Sequence, residues 1–147
     1  MQFETKFFGN MEYTEKEILQ FKNGLFGFEA EKQFVLIYFD DENHDLLCLQ
    51  SIKTPELAFV LMNPFSLDPN YHPQPADSDW KAVDAAKEED INYYVICVVR
   101  ETSGASTINM KCPVIINPAN NAGRQIILDQ PEYGLKHALS SYEKKEG

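Results

Sequence analysis

Basic residues, cysteine and long apolar runs are what this chain has little of, and each shortage removes a class of function. Thirteen lysines and arginines stand against 23 aspartates and glutamates, a formal net charge of −10. Nucleic acid is bound largely by cations that displace counterions from phosphate, so a surface of this sign excludes direct nucleic-acid binding as an expectation. The longest apolar runs reach six or seven residues, against the roughly 20 that a membrane-crossing helix needs. The three cysteines, Cys48, Cys97 and Cys112, are odd in number, sit inside apolar runs and match no zinc spacing. They read as buried free thiols in a reducing compartment. Met1-Gln2-Phe3-Glu4-Thr5 is polar and has no signal-peptide pattern, so the expected location is cytoplasmic.

Catalytic signatures are equally scarce. The three histidines, His44, His72 and His137, lie in polar or irregular stretches with no partner at a diagnostic spacing. No G-x-S-x-G elbow or G-x-G-x-x-G loop occurs, and Gly24-Leu25-Phe26-Gly27 lacks the strand–helix setting of a phosphate loop. Asp40, Asp41, Glu42 and Asp45 lack the ligand order and glycine of a calcium loop and read as a solvated turn. No catalytic, cofactor-binding or metal-ligating residue is assigned. The alternative is a small β-barrel hydrolase or isomerase whose pocket no motif marks. An oligonucleotide-binding barrel would need basic and aromatic residues interleaved on one sheet face, and the cations here are few and dispersed.

What the chain does have is short β-prone segments separated by turn chemistry. Between Thr107 and Leu128, Ile108, Met110, Cys112, Val114 and Ile116 alternate with their neighbours, the period of a strand with one buried face. Pro113 cannot donate to a ladder, so that strand is expected at an edge or with a bulge. Residues 117–123 supply a turn and Arg124–Leu128 a return strand, together a hairpin. Further strands are expected at Gln2–Phe8, turning at Gly9-Asn10 into Met11–Tyr13, and at Gln33–Phe39, Leu46–Ile52 and Leu57–Met62, a meander. Ile91–Val99 is the most β-prone run and the expected central strand. Thr14 and Glu17 have capping-box spacing. Lys22–Phe28 places two glycines among bulky side chains, either an anchored turn or a binding loop. Four prolines in residues 63–75 exclude helix and leave an irregular crossing on which Phe65, Leu67 and Tyr71 pack down. A helix is expected from Asp77 with Trp80, Val83 and Ala86 on one face, and a short amphipathic one with Leu135, Leu139 and Tyr142. The tail should fray from about residue 143. About eight short strands without strand–helix alternation predict a mainly β, single-domain antiparallel barrel-like fold over residues 1–147, with one or two short helices; a sandwich is the other arrangement.

Four blocks, in order, resemble one family. They are Phe21-Lys22-Asn23-Gly24-Leu25-Phe26-Gly27-Phe28 with Lys32-Gln33-Phe34-Val35-Leu36; Leu49-Gln50-Ser51; Leu57-Ala58-Phe59-Val60 with Asn63-Pro64-Phe65; and Asn109 to Asn117 with Gly123 to Leu128. The chain resembles the flagellar assembly factor FliW family over nearly its full length. That resemblance implies a small cytoplasmic β-barrel-like protein that binds flagellin, somewhat as a chaperone, and also binds the RNA-binding translational repressor CsrA. Held by such a factor, CsrA leaves flagellin mRNA free; accumulated flagellin displaces it and synthesis stops. The implied role has no catalytic step. Two departures stand out: Asn120-Asn121-Ala122 in place of a more basic loop, and Cys112 in place of a small residue.

Because aromatic side chains dominate interface hot spots, Phe26, Phe65 and Tyr71 are the loop aromatics most suited to a partner. The partner-binding expectation is Asn63, Phe65, Tyr71, Tyr133 and Leu135. Gly24, Gly27, Pro113 and Gly123 are expected to shape turns, Asn63 and Asn117 to cap loops, and Gln50 and Gln125 to make polar pairs between strands.

Overall fold

In the computed structural model residues 1–42, 45–102 and 104–142 are described. His44, placed above in a polar stretch, and the expected fraying from about 143 lie outside these residues. The strands are β1 Gln2–Thr5, β2 Gly9–Glu12, β3 Leu19–Gln20, β4 Gln33–Tyr38, β5 Leu46–Ser51, β6 Ala58–Met62, β7 Asn92–Val98, β8 Thr107–Ile108, β9 Val114–Asn117, β10 Ala122–Gln125 and β11 His137–Ala138. Two short helices, α1 Pro64–Leu67 and α2 Asp77–Ala82, interrupt them. Strands β7-β6-β5-β4-β3-β10-β9 pair in that order, and β9 pairs back onto β7, closing a barrel of seven strands. All these pairings are antiparallel except β3–β10, a parallel contact with a single register pair, Ala122 with Gln20.

Alternation along the strands builds two cores. Phe34 on β4, Leu47 and Leu49 on β5, Leu61 on β6, and Val114 and Ile116 on β9 point into the barrel, joined by Phe21 and Leu25. The opposite residues of β7 and β9, Tyr93, Val95, Cys97 and Ile115, form a second cluster on the outer wall with Tyr71, Met110 and Leu128. A strand covered on both faces reads as a continuous apolar run, which is why Tyr93–Cys97 has no polar alternation, its side chains dividing between the two clusters. It is also the most connected strand, paired with β6, β8 and β9, as its composition predicted.

The expected strand through Thr107–Ile116 is split. β8 pairs with β7 at Cys97–Ile108 and β9 at Tyr94–Val114, so six residues on one side span three on the other. The surplus loops out at Asn109–Pro113, where Asn109 Oδ1 accepts from the Cys112 N–H at 2.9 Å. Pro113 thus marks an interruption, as its missing donor requires. The β9–β10 hairpin forms as expected. Gly123, however, lies within β10 instead of the turn: a Cβ there would stand 2.4 Å from Phe21 Cζ, so the glycine admits an aromatic ring.

Four further expectations are corrected. The first hairpin turns before Gly9, because Thr5 Oγ1 accepts from the Phe8 N–H and donates to Gly9 O; Phe7 is left exposed in the turn. The segment 63–75 does contain a helical turn, since proline at the first helical position gives up an N–H that needs no partner there, and Pro64 occupies that position in α1. The amphipathic helix at Leu135–Tyr142 is replaced by β11, paired to β8, and a 3-10 turn at Leu139–Tyr142. In α2 the helix stops at Ala82, leaving Ala86 outside it and exposed while Val83 is buried. Among the described residues no helix is long and apolar enough to cross a membrane.

Candidate functional site

The outer wall carries the aromatic face on which four of the five expected contact residues meet. Asn63 caps α1, its Oδ1 accepting from the Phe65 N–H at 3.0 Å. That cap fixes Phe65 with its ring 5.8 Å from both Tyr71 and Tyr93. Tyr71 stacks edge-on against Tyr133 with centroids 4.7 Å apart, although 61 residues separate Tyr133 from the neighbouring His72 in the chain. Leu135 lies beyond Gly134, whose carbonyl accepts from the N–H groups of Met110 and Lys111 and so ties the C-terminal segment to the excursion.

Exposure sorts these residues into two tiers. Tyr71 and Tyr133 are only 4% and 7% exposed, whereas Phe65 is 38% and Leu135 57% exposed. The tyrosines form a rigid floor, Tyr71 Oη donating to Met110 O at 2.8 Å. Tyr133 Oη accepts from the His72 N–H at 2.9 Å. Burial drives the Tyr71 and Tyr93 phenols well above their ordinary range, so both stay neutral. At the rim, Glu132 lies 3.1 Å from His72 Nε2. The imidazole is raised above its ordinary value first by its bond to Asn70 O and further by the Glu132 charge.

Sequence reasoning missed two other surface features. Phe7 and Phe39 are exposed with rings 5.8 Å apart, and Phe8 lies 5.1 Å from Phe39. Their signal was an aromatic at each end of a predicted strand, where a turn leaves no partner to cover it. Beside them β1–β2 packs across the outside of β4, and a groove of about 240 Å3 between the two is edged by Glu12, Glu17 and Asp41. The second feature is a cavity of about 590 Å3 over the β3–β10 junction, edged by Lys22, Lys81, Asp84 and Arg124.

The remaining polar expectations resolve into tethers. Gln50 is buried inside β5. Its Nε2 donates to the carbonyls of Ser51, Pro55 and Leu57, and its Oε1 accepts from the Lys6 N–H. It therefore ties loops and the first hairpin to the barrel instead of pairing two strands. Gln125 acts likewise, donating to Cys112 O and accepting from the Phe26 N–H. Asn117 caps its turn, accepting from the Ala119 N–H. Gly24 and Gly27 adopt φ of +63° and +86° as their turns require.

Burial raises all three thiols, Cys48 to about 11 despite an opposing contribution from Lys6. A thiol kept protonated is a poor nucleophile. Among the described residues no group of three or more His, Cys, Asp or Glu is arranged to hold a metal ion.

The family model for "FliW protein" matches residues 2–139. The flagellar assembly factor FliW of Geobacillus sp. (strain WCH70) is 39% identical over 139 residues, 95% of each chain. That of Oceanobacillus iheyensis is 34% identical over 147 residues, covering 100% of this chain and 99% of its own. A crystal structure of the flagellar assembly factor FliW superposes with a TM-score of 0.88 at 37% identity, covering 95% of this chain and 96% of that one.

Proposed function

The chain belongs to the FliW family, and from that premise we propose that it is a cytoplasmic partner-exchange protein. It binds flagellin, and when flagellin is scarce it holds a CsrA-type translational repressor away from the flagellin message. It transforms nothing. The observation that carries this reading is the match over residues 2–139 together with superposition on a flagellar assembly factor across 95% of the chain.

The physical character of the surface supports it. A net charge of −10 attracts a partner basic enough to hold RNA and speeds its encounter, while RNA itself is repelled. The exposed Phe65 ring over the tyrosine floor supplies apolar, aromatic area that loses little entropy on binding, because the stacked rings are already ordered. Pull-down from purified components tests the reading: immobilised chain should retain flagellin and a CsrA-type protein, each displaceable by the other, and should not retain the RNA control. Failure to retain either protein at micromolar concentration overturns it.

A further inference from the structure

The Lys22–Phe28 loop and Gly123-Arg124-Gln125 come together at the β3–β10 seam, and most of their residues are explained by the fold. Phe21 and Leu25 fill the barrel. Gly24 is required because a Cβ would meet Phe28 O at 2.5 Å, and Gly123 because one would meet the Phe21 ring. Gln125 secures the loop through the Phe26 N–H. Packing leaves Lys22 and Asn23 unexplained, and both line the cavity over the seam together with Arg124.

We propose that this cavity binds a small organic anion, one bearing a carboxylate or phosphate group, held by Lys22, Lys81 and Arg124. Its lining has three cations and one carboxylate, Asp84, and with Asp79 paired to Arg124 behind it the local balance is +1 on a chain of −10. Three of the chain's 13 cations stand around one depression, and the two lysines among them are held close to Arg124, a repulsion that a bound anion would relieve. Neither lysine forms an ion pair among the described residues. Arg124 is differently placed. Its Nε donates to the buried Asp79 carboxylate at 3.0 Å, which fixes the guanidinium plane and leaves the two Nη groups without a partner among the described residues. A fork oriented in this way matches the two oxygens of a carboxylate or phosphate.

The opposite wall is fixed as well. Asn117 and Asn120 both donate to Val83 O, at 2.9 and 3.0 Å, and Asp84 closes α2 in a left-handed conformation at φ 55°. The volume, about 590 Å3, falls inside the roughly 300–1,000 Å3 range of small-ligand sites. Charge decides between a small anion and an acidic protein segment. The overall field acts on every charge within a Debye length, about 8 Å at physiological salt. A polyanionic chain is repelled many times over by the surrounding surface, and a compact anion of one or two charges only slightly. This inference is independent of flagellin and CsrA binding.

The test is a 15N NMR titration with inorganic phosphate and with succinate at constant ionic strength, against sodium chloride alone. Saturable shifts are expected at Lys22, Asn23, Asp84, Asn120 and Arg124, and the tighter of the two probes identifies the anion chemistry. Lys22→Gln with Lys81→Gln should weaken binding at least tenfold; the charge-matched pair Lys53→Gln with Lys136→Gln, both outside the cavity, should leave it within twofold. Shifts that never saturate, equal weakening by the two double variants, or a tetraglutamate peptide binding more tightly than either probe would each overturn the assignment.

Discussion

Tyr71 and Tyr93 stand side by side on the outer wall and make opposite use of their hydroxyls. Tyr71 donates to Met110 O, whereas Tyr93 Oη is buried with no partner among the described residues. A net hydrogen bond is worth about 1 kcal/mol, and a buried hydroxyl left unpaired costs roughly 1–3 kcal/mol. Tyr71→Phe should therefore destabilise by about 1–2 kcal/mol in urea unfolding, while Tyr93→Phe should leave stability unchanged or raise it. Equal losses would contradict the assignment. His72 carries the residue-scale pH dependence. Its folded value lies above the ordinary 6.5, through Asn70 O and then Glu132. A raised folded value stabilises below the unfolded one, and the contribution disappears as pH rises through the folded one. The ring is exposed, so the titration itself is the readout: NMR should place His72 above 6.5, and Glu132→Gln should lower it. A value at or below 6.5 in the unmodified protein would contradict this.

At the scale of elements, composition read strands well and their interruptions poorly. β4 to β7 were legible because β-branched and aromatic runs bounded by turn residues have few alternatives. The Asn109–Pro113 excursion was not, because a run that alternates cleanly is still split when both halves pair with the same strand at a slipped register. Gly123 shows a related limit: its reason is a ring delivered from 102 positions earlier, Phe21. Gly123→Ala should consequently destabilise by about 1–3 kcal/mol, the usual cost of overpacking, although its backbone is ordinary strand. Gly123→Ala combined with Phe21→Leu should lose less than the two changes summed. Additive losses in denaturant would refute the ring-contact explanation.

For the molecule as a whole, the barrel was legible but the pairing that closes it was not. A single parallel rung between β3 and β10 joins segments about 100 residues apart, and nothing in the local pattern of Leu19-Gln20 announces it. The candidate face was half legible. Aromatic content pointed to Phe65, Tyr71 and Tyr133, but whether a ring forms floor or rim depends on what crosses over it. The charge was legible outright, and it yields a kinetic expectation: association with a basic CsrA-type partner should slow steeply between 50 and 500 mM salt, and a flat stopped-flow rate would remove electrostatic steering from the account. The central claim, that this barrel works by holding other proteins on its outer surface, is tested most directly by calorimetric titration of flagellin into the unmodified chain and into a Phe65→Ser, Leu135→Ser variant shown by circular dichroism to be folded. The account predicts micromolar or tighter binding to the unmodified chain and at least tenfold weaker binding to the variant; no binding to the first, or equal binding to both, would contradict it.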